Sequence, residues 1–246
     1  MRIQLTAILI CASACVALAQ PTTQPTTQPA TQPETQPAEP EVDAATRGWL
    51  ERIAERGEEL TTLTTRVIYD REQGLIGDTQ RRFGTLTYDA GAPARFVFHL
   101  TRRLFDGRAE VMDTRYVFDG VWMAERKAKE KTFRKWQIVP PDADPAAVDP
   151  LARGEGPFVL PLKFEVDDLL QRFAVQLIEP DEEDPEDTVH LRLTPRPGFD
   201  RDLDRLDVWW DRGTLLPIRA ENRTGRNVSI FQLRDLETSV ELDADA

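Results

Sequence analysis

The stretch Phe118-Asp119-Gly120-Val121-Trp122 constrains what this chain can fold into more than any other. An Asp-Gly pair between alternating apolar residues is the strongest short-range signal for a β-hairpin. It lies midway along a series of short segments with a period of two, so the chain predicts antiparallel strands in hairpin order rather than packed helices. Around it the usual catalytic side chains are scarce. Beyond Ser13 the serines are Ser229 and Ser239, and the histidines are His99 and His190.

Residues 1–19 read as an export signal. Arg2 precedes an apolar run from Leu5 to Ile10, and Ala17-Leu18-Ala19 forms a small-x-small cleavage pattern before Gln20. A second reading takes Ala12-Ser13-Ala14-Cys15 as a lipoprotein signal with Cys15 acylated, although Ala12 and the apolar Val16 to Ala19 fit that class less well. The run is too short and too interrupted by Ser13 and Cys15 for a membrane-spanning helix. Both cysteines, Cys11 and Cys15, fall inside the signal. The remaining chain therefore has no disulfide framework, thiol nucleophile or cysteine-ligated zinc. Residues 20–42 repeat Pro-Thr-Thr-Gln, Pro-Ala-Thr-Gln and Pro-Glu-Thr-Gln. Almost nothing there can be buried to offset ordering entropy, which predicts a disordered, partly polyproline-II linker.

Residues 43–246 are long enough for one domain with its own core. The net charge of −12 argues against nucleic-acid binding and suits an exported monomer kept apart by self-repulsion. Asp43 is placed to cap a helix carrying Ala45, Trp49, Leu50, Ile53 and Ala54 on one stripe, with Gly57 as its stop. Strands are expected at 63–69, 83–88 and 96–100, in the central hairpin, and over 127–138. A short helix is expected over 166–173, followed by strands around Val175, Leu191, Val208, Ile218 and 228–236. Such an order makes an α+β domain, a curved antiparallel sheet that must curl or close and that a few helices cover.

The order of motifs resembles the LolA family, periplasmic carriers of outer-membrane lipoproteins, and the related receptor LolB. The residues that carry the likeness are Gly84-Thr85-Leu86-Thr87-Tyr88 with Pro93 and Arg95-Phe96, the Phe118-Asp119-Gly120-x-Trp122 hairpin, Gly156-Pro157-Phe158-Val159-Leu160, and Leu191-x-Leu193-Thr194-Pro195. The resemblance implies an incomplete, half-open β-barrel whose apolar interior accepts acyl chains. It departs at Ala92, where the family's carriers place an arginine, and in the short tail after Leu236.

The aromatic and aliphatic set Tyr69, Leu86, Phe96, Phe98, Trp122, Phe133, Trp136, Phe158, Leu193, Trp210 and Phe231 is ordinary core on its simplest reading. On the family's pattern the set supplies cavity-lining residues, and Pro157, Phe158, Leu160 and Leu169 belong to a movable lid. The acidic run 181–187 reads as a solvated hairpin loop rather than a calcium site, because it lacks EF-hand spacing. Asp200, Asp202, Asp204 and Asp207 alternate with Arg201 and Arg205 and read as a charged strand edge. Lys127, Lys129 and Lys131 would share one face of a strand. That face is either merely solvated or a contact for anionic head groups or an acidic partner. His99 and His190 fall on the outward phase, with no metal-ligand spacing.

Taken together these features predict a periplasmic, non-enzymatic carrier of lipoprotein acyl chains or another apolar ligand, with no cofactor or metal. A membrane-bound donor complex and a receptor would be its partners. The rival expectation is an envelope sensor or protein-interaction module on the same fold.

Overall fold

The computed structural model describes residues 42–75, 77–147, 151, 159–199 and 203–242. The signal (1–19), almost all of the linker, Gly156, Pro157, Phe158, Asp200, Arg201 and Asp202 lie outside the described residues.

The domain opens with helix α1 (Ala44–Glu59). Asp43 caps it as expected, accepting from the backbone N–H groups of Ala45 and Thr46 at 3.0 and 2.9 Å. The helix does not stop at Gly57 but runs two residues past it to Glu59. The missing Cβ is used for contact instead, since a Cβ there would lie 2.7 Å from the Leu162 carbonyl.

Six strands follow in meander order: β1 (Thr62–Gln73), β2 (Asp78–Asp89), β3 (Arg95–Phe105), β4 (Arg108–Phe118), β5 (Trp122–Lys127) and β6 (Thr132–Gln137). A crossover containing a 3-10 turn (Pro145–Ala147) and helix α2 (Val166–Arg172) leads to β7 (Phe173–Ile178). Then come β8 (Thr188–Pro195), β9 (Arg205–Asp211), β10 (Pro217–Thr224) and β11 (Asn227–Thr238). All pairings are antiparallel, and the sheet runs β6-β5-β4-β3-β2-β1-β11-β10-β9-β8-β7. The expected α+β half-open barrel is what forms. Its two edges, β6 and β7, come from the middle of the chain, and its seam β1–β11 joins the two ends.

The sheet curls strongly. Phe98 on β3 and Phe231 on β11 are three strands apart, about 14 Å in a flat sheet, yet their ring centroids are 6.5 Å apart. The side chains inside that curl make one continuous core with Leu50 and Ile53 of α1 and Leu169 and Leu170 of α2.

Two strand expectations change. The span 127–138 is two strands, because Ala128 to Lys131 form the turn between β5 and β6 and Lys131 adopts φ +53°. Lys129 and Lys131 are therefore turn residues, and only Lys127 lies in a strand. Arg205 and Asp207 do not form an edge. β9 is an interior strand between β8 and β10.

Candidate functional site

Cross-strand registers define the concave face, because directly paired residues share one side of a sheet. One row runs Leu63, Tyr88, Phe96, Phe118, Met123, Trp136 across β1 to β6. The next runs Thr65, Leu86, Phe98, Tyr116, Glu125, Arg134. Across the seam, Tyr69 pairs with Phe231, and the row continues through Ala220, Val208, Leu191 and Leu177. Tyr69 and Phe231 stack with centroids 4.3 Å apart.

Of the expected cavity residues, Tyr69, Leu86, Phe96, Phe98, Leu193 and Trp210 are brought together, all buried in this interior with Phe231. Trp136 is in the same row as Met123 but stands at the β6 edge, 37 % exposed. Trp122 and Phe133 are corrections. Each is one residue out of phase with Met123 and Trp136, so each projects from the outer face. There Trp122 lies under the Lys135 ammonium, 4.8 Å from its ring centroid, and Phe133 is 65 % exposed. Phe158 and Pro157 lie outside the described residues. Leu160 and Leu169 of the expected lid are both buried.

The crossover acts as an apolar plug. Leu151, Val159, Leu160, Leu162, Leu169, Leu170 and Phe173 are all part of the core. The described bonds of 159–172 include Leu160 N–H to the Leu151 carbonyl, Leu162 N–H to Leu160, Leu169 N–H to Glu165, Arg196 N–H to Arg172 and Arg196 Nε to the Leu170 carbonyl. Surface ion pairs tie it to α1, Lys163 with Glu58 at 3.0 Å and Arg47 with Asp167 at 3.4 Å. Around the described residues at its centre the core is tightly packed. Leu86, Tyr88, Phe98, Leu160, Leu191, Leu193 and Phe231 have 0 % exposure, which leaves no water-sized space along them.

Toward β5 the concave face carries a hydrogen-bonded polar group. The Tyr116 hydroxyl donates to Glu125 Oε1 at 2.8 Å, and Lys127 Nζ lies 3.2 Å from the same oxygen. Burial raises the Tyr116 phenol well above its ordinary range, and the hydrogen bond to the Glu125 carboxylate adds to this. The sequence did carry a signal for this trio: Glu125 and Lys127 follow Met123 at a spacing of two.

A second polar cluster closes the outer face of β8 and β9. His190 Nε2 lies 3.0 Å from Asp207 Oδ1, and Arg192 Nε donates to that oxygen at 2.8 Å. Arg205 Nε is 2.6 Å from Asp207 Oδ2. Burial raises the Asp207 carboxyl, but the hydrogen bonds from His190 and Arg192 and the nearby guanidiniums outweigh it, so the group sits below its ordinary value. The acidic run 181–187 is a mostly exposed loop, as expected, but Asp184 turns inward from it. Trp209 Nε1 donates to Asp184 Oδ1 at 2.6 Å, and Asp184 Oδ2 is 3.5 Å from His190 Nδ1. His190 is therefore buried, stacked 4.1 Å from the Trp209 ring. His99, by contrast, is part-exposed and bonds Asp113 at 2.9 Å. Among the described residues no cluster of three or more His, Cys, Asp or Glu is placed to hold a metal, and no helix is long and apolar enough to cross a membrane.

No family model and no curated protein matches the chain. Solved structures similar to it include the Pseudomonas aeruginosa MucA/MucB complex, at 18 % identity and TM-score 0.44, covering 82 % of this chain and 60 % of that one. The chain thus spans about three fifths of that relative's length. They also include the Mycobacterium tuberculosis lipoprotein LppX, at 14 % identity and TM-score 0.45, covering 82 % and 100 %. A LolA superfamily protein from Nitrosomonas europaea matches at 11 % identity and TM-score 0.39, covering 79 % and 95 %.

Proposed function

We propose that this domain is an exported, non-enzymatic carrier that takes an acyl chain of a lipoprotein, or another apolar ligand, into the half-barrel. The ligand replaces the plug residues Leu160, Leu162, Leu169 and Leu170 against the concave rows. Support comes from the plug itself: an apolar segment outside the strand ladder covers a concave face that is largely apolar and turns polar toward β5 and β6 at Glu125 and Arg134. Exchanging plug for ligand keeps that face dry, and each buried methylene of the ligand contributes about 0.8 kcal/mol. Release then needs a competing receptor, as in lipoprotein sorting at the outer membrane. Export follows from residues 1–19, either as a cleaved signal or with Cys15 acylated as the anchor. The protein works as a monomer.

A second reading, a sensor or protein-interaction module, is favoured by the tightly packed core, which leaves no water-sized gap beside Phe98 or Leu160.

Native mass spectrometry of the protein purified from a host with an outer membrane separates the two. The carrier gives adducts that extract as lipid or lipopeptide and that diminish in a folded Phe98→Asp variant. A clean ligand-free mass with no uptake of added diacyl lipopeptide overturns the carrier and leaves the interaction module.

A further inference from the structure

Among the described residues, β6 is a sheet edge with no strand beyond it. The Ile138 N–H donates to the Val121 carbonyl at 3.0 Å, which sets the phase of the β5–β6 ladder. By alternation, Thr132, Arg134 and Trp136 turn their backbone groups toward β5, and Phe133, Lys135 and Gln137 turn theirs outward. All six residues of the strand are exposed, and its pairing with β5 has no register shift. An edge of this kind templates another strand unless something blunts it. The opposite edge is blunted, because α1 packs on β7 and Thr46 accepts the Leu177 N–H.

The surroundings of β6 select an occupant. Trp122 and Phe133 lie on its outer face and Trp136 on its inner face, so an added strand would meet aromatic contact on both sides. Arg126, Lys127, Lys131, Arg134 and Lys135 crowd the same hairpin in a chain of net charge −12. Of the hairpin's two acids, Glu125 is already engaged by Tyr116 and Lys127, and Glu130 sits in the turn beyond the strand. At the turn end, Arg126, Lys127, Ala128, Lys131, Thr132 and Phe133 line a surface hollow of about 340 Å³.

We propose that β6 takes up an extended acidic segment of a partner protein as an added outer strand. Main-chain bonds to residues 133, 135 and 137 supply affinity, and acidic side chains matched to the basic hairpin supply selectivity. A second copy of this chain fits poorly, because paired β6 edges bring Lys131, Arg134 and Lys135 of both copies together. An anionic membrane satisfies the charges but not the outward N–H and C=O groups. The inference is independent of what the interior holds.

The test uses the full chain and a synthetic alternating Glu-Val peptide of roughly eight residues, about a strand's length. Saturable binding is expected, with slowed amide exchange at Phe133 and Lys135. Removing one ladder N–H donor should weaken binding about tenfold. Lys135→Pro does this on the protein, and backbone N-methylation of the peptide does it without touching the protein's fold. Four results overturn the proposal: no slowing at these amides, equal binding of the N-methylated peptide, binding of phosphatidylglycerol vesicles but not of the peptide, or the same protection arising from dimerisation of the free chain.

Discussion

The Thr46 hydroxyl accepts a hydrogen bond from the backbone N–H of Leu177 at 3.3 Å, and donates to Asp43 Oδ2 at 2.5 Å. A first-turn side chain of α1, itself bonded to the capping Asp43, is thereby joined to an otherwise unpaired donor on edge strand β7. Thr46 is fully buried, so water does not stand in for it.

Replacing Thr46 with Val leaves both the Leu177 N–H and the Asp43 carboxylate short of a partner. The expected loss is about 1–2 kcal/mol, measured as a shift in the urea midpoint, with faster exchange at the Leu177 amide. Thr46→Ser restores most of it. A Val variant as stable as the parent would show that the link contributes nothing.

Gly120 adopts φ +103°, and a Cβ there would lie 2.5 Å from Pro93 Cγ. Gly120→Ala should destabilise by about 1–3 kcal/mol, seen as a lower melting temperature with the strand signal in circular dichroism retained.

Phe98 and Trp122 separate the two faces of the sheet. Phe98→Ala removes a fully buried ring and should destabilise by about 3–5 kcal/mol, whereas Trp122→Ala on the outer face should change stability by about 1 kcal/mol or less. Equal losses in denaturant titrations would contradict the assigned register of β5.

Asp207 makes stability depend on acid. Its folded pKa is depressed, so below its ordinary value the unfolded chain binds the proton more readily. Its contribution is full above about pH 4, the unfolded value, and is lost as pH falls through the folded value. Asp207→Asn leaves Arg192, Arg205 and His190 without their carboxylate, and should be destabilising by about 3 kcal/mol or more near neutral pH. Its urea midpoint should also fall less steeply in acid than the parent's. Parallel acid profiles would remove Asp207 as the cause.

Much of the fold was legible because α1 and the core strands carry clean periods: Asp43 before the Leu50 and Ile53 stripe, and Phe96, Phe98 and Leu100 on one phase. Strand β4 was only half legible, since its first four residues, Arg108 to Val111, are exposed and offer no apolar alternation. Yet Asp106-Gly107, with φ +49° and +71°, is the tight two-residue turn that an Asp-Gly pair signals. The pair at Asp119-Gly120 makes a longer loop, in which the Asp119 carboxylate accepts from Val121 and Trp122. The sides taken by Trp122 and Phe133 depend on register, which aromatic content does not encode. The burial of Asp184 and Asp207 depends on partners brought from elsewhere in the chain, so acidity alone read as exposure.

The seam between β1 and β11 also sets an order of events during synthesis. Residues 62–137 form one meander and 173–238 another, each from local hairpins that can pair as soon as they emerge. The bond between the halves waits for the last strand, whose Thr238 pairs with Leu63. Until then the apolar face of the first meander has no opposite wall. A chain arrested before β11 is therefore not a slightly weakened domain but two half-sheets with their cores open, a natural substrate for proteolysis and quality control.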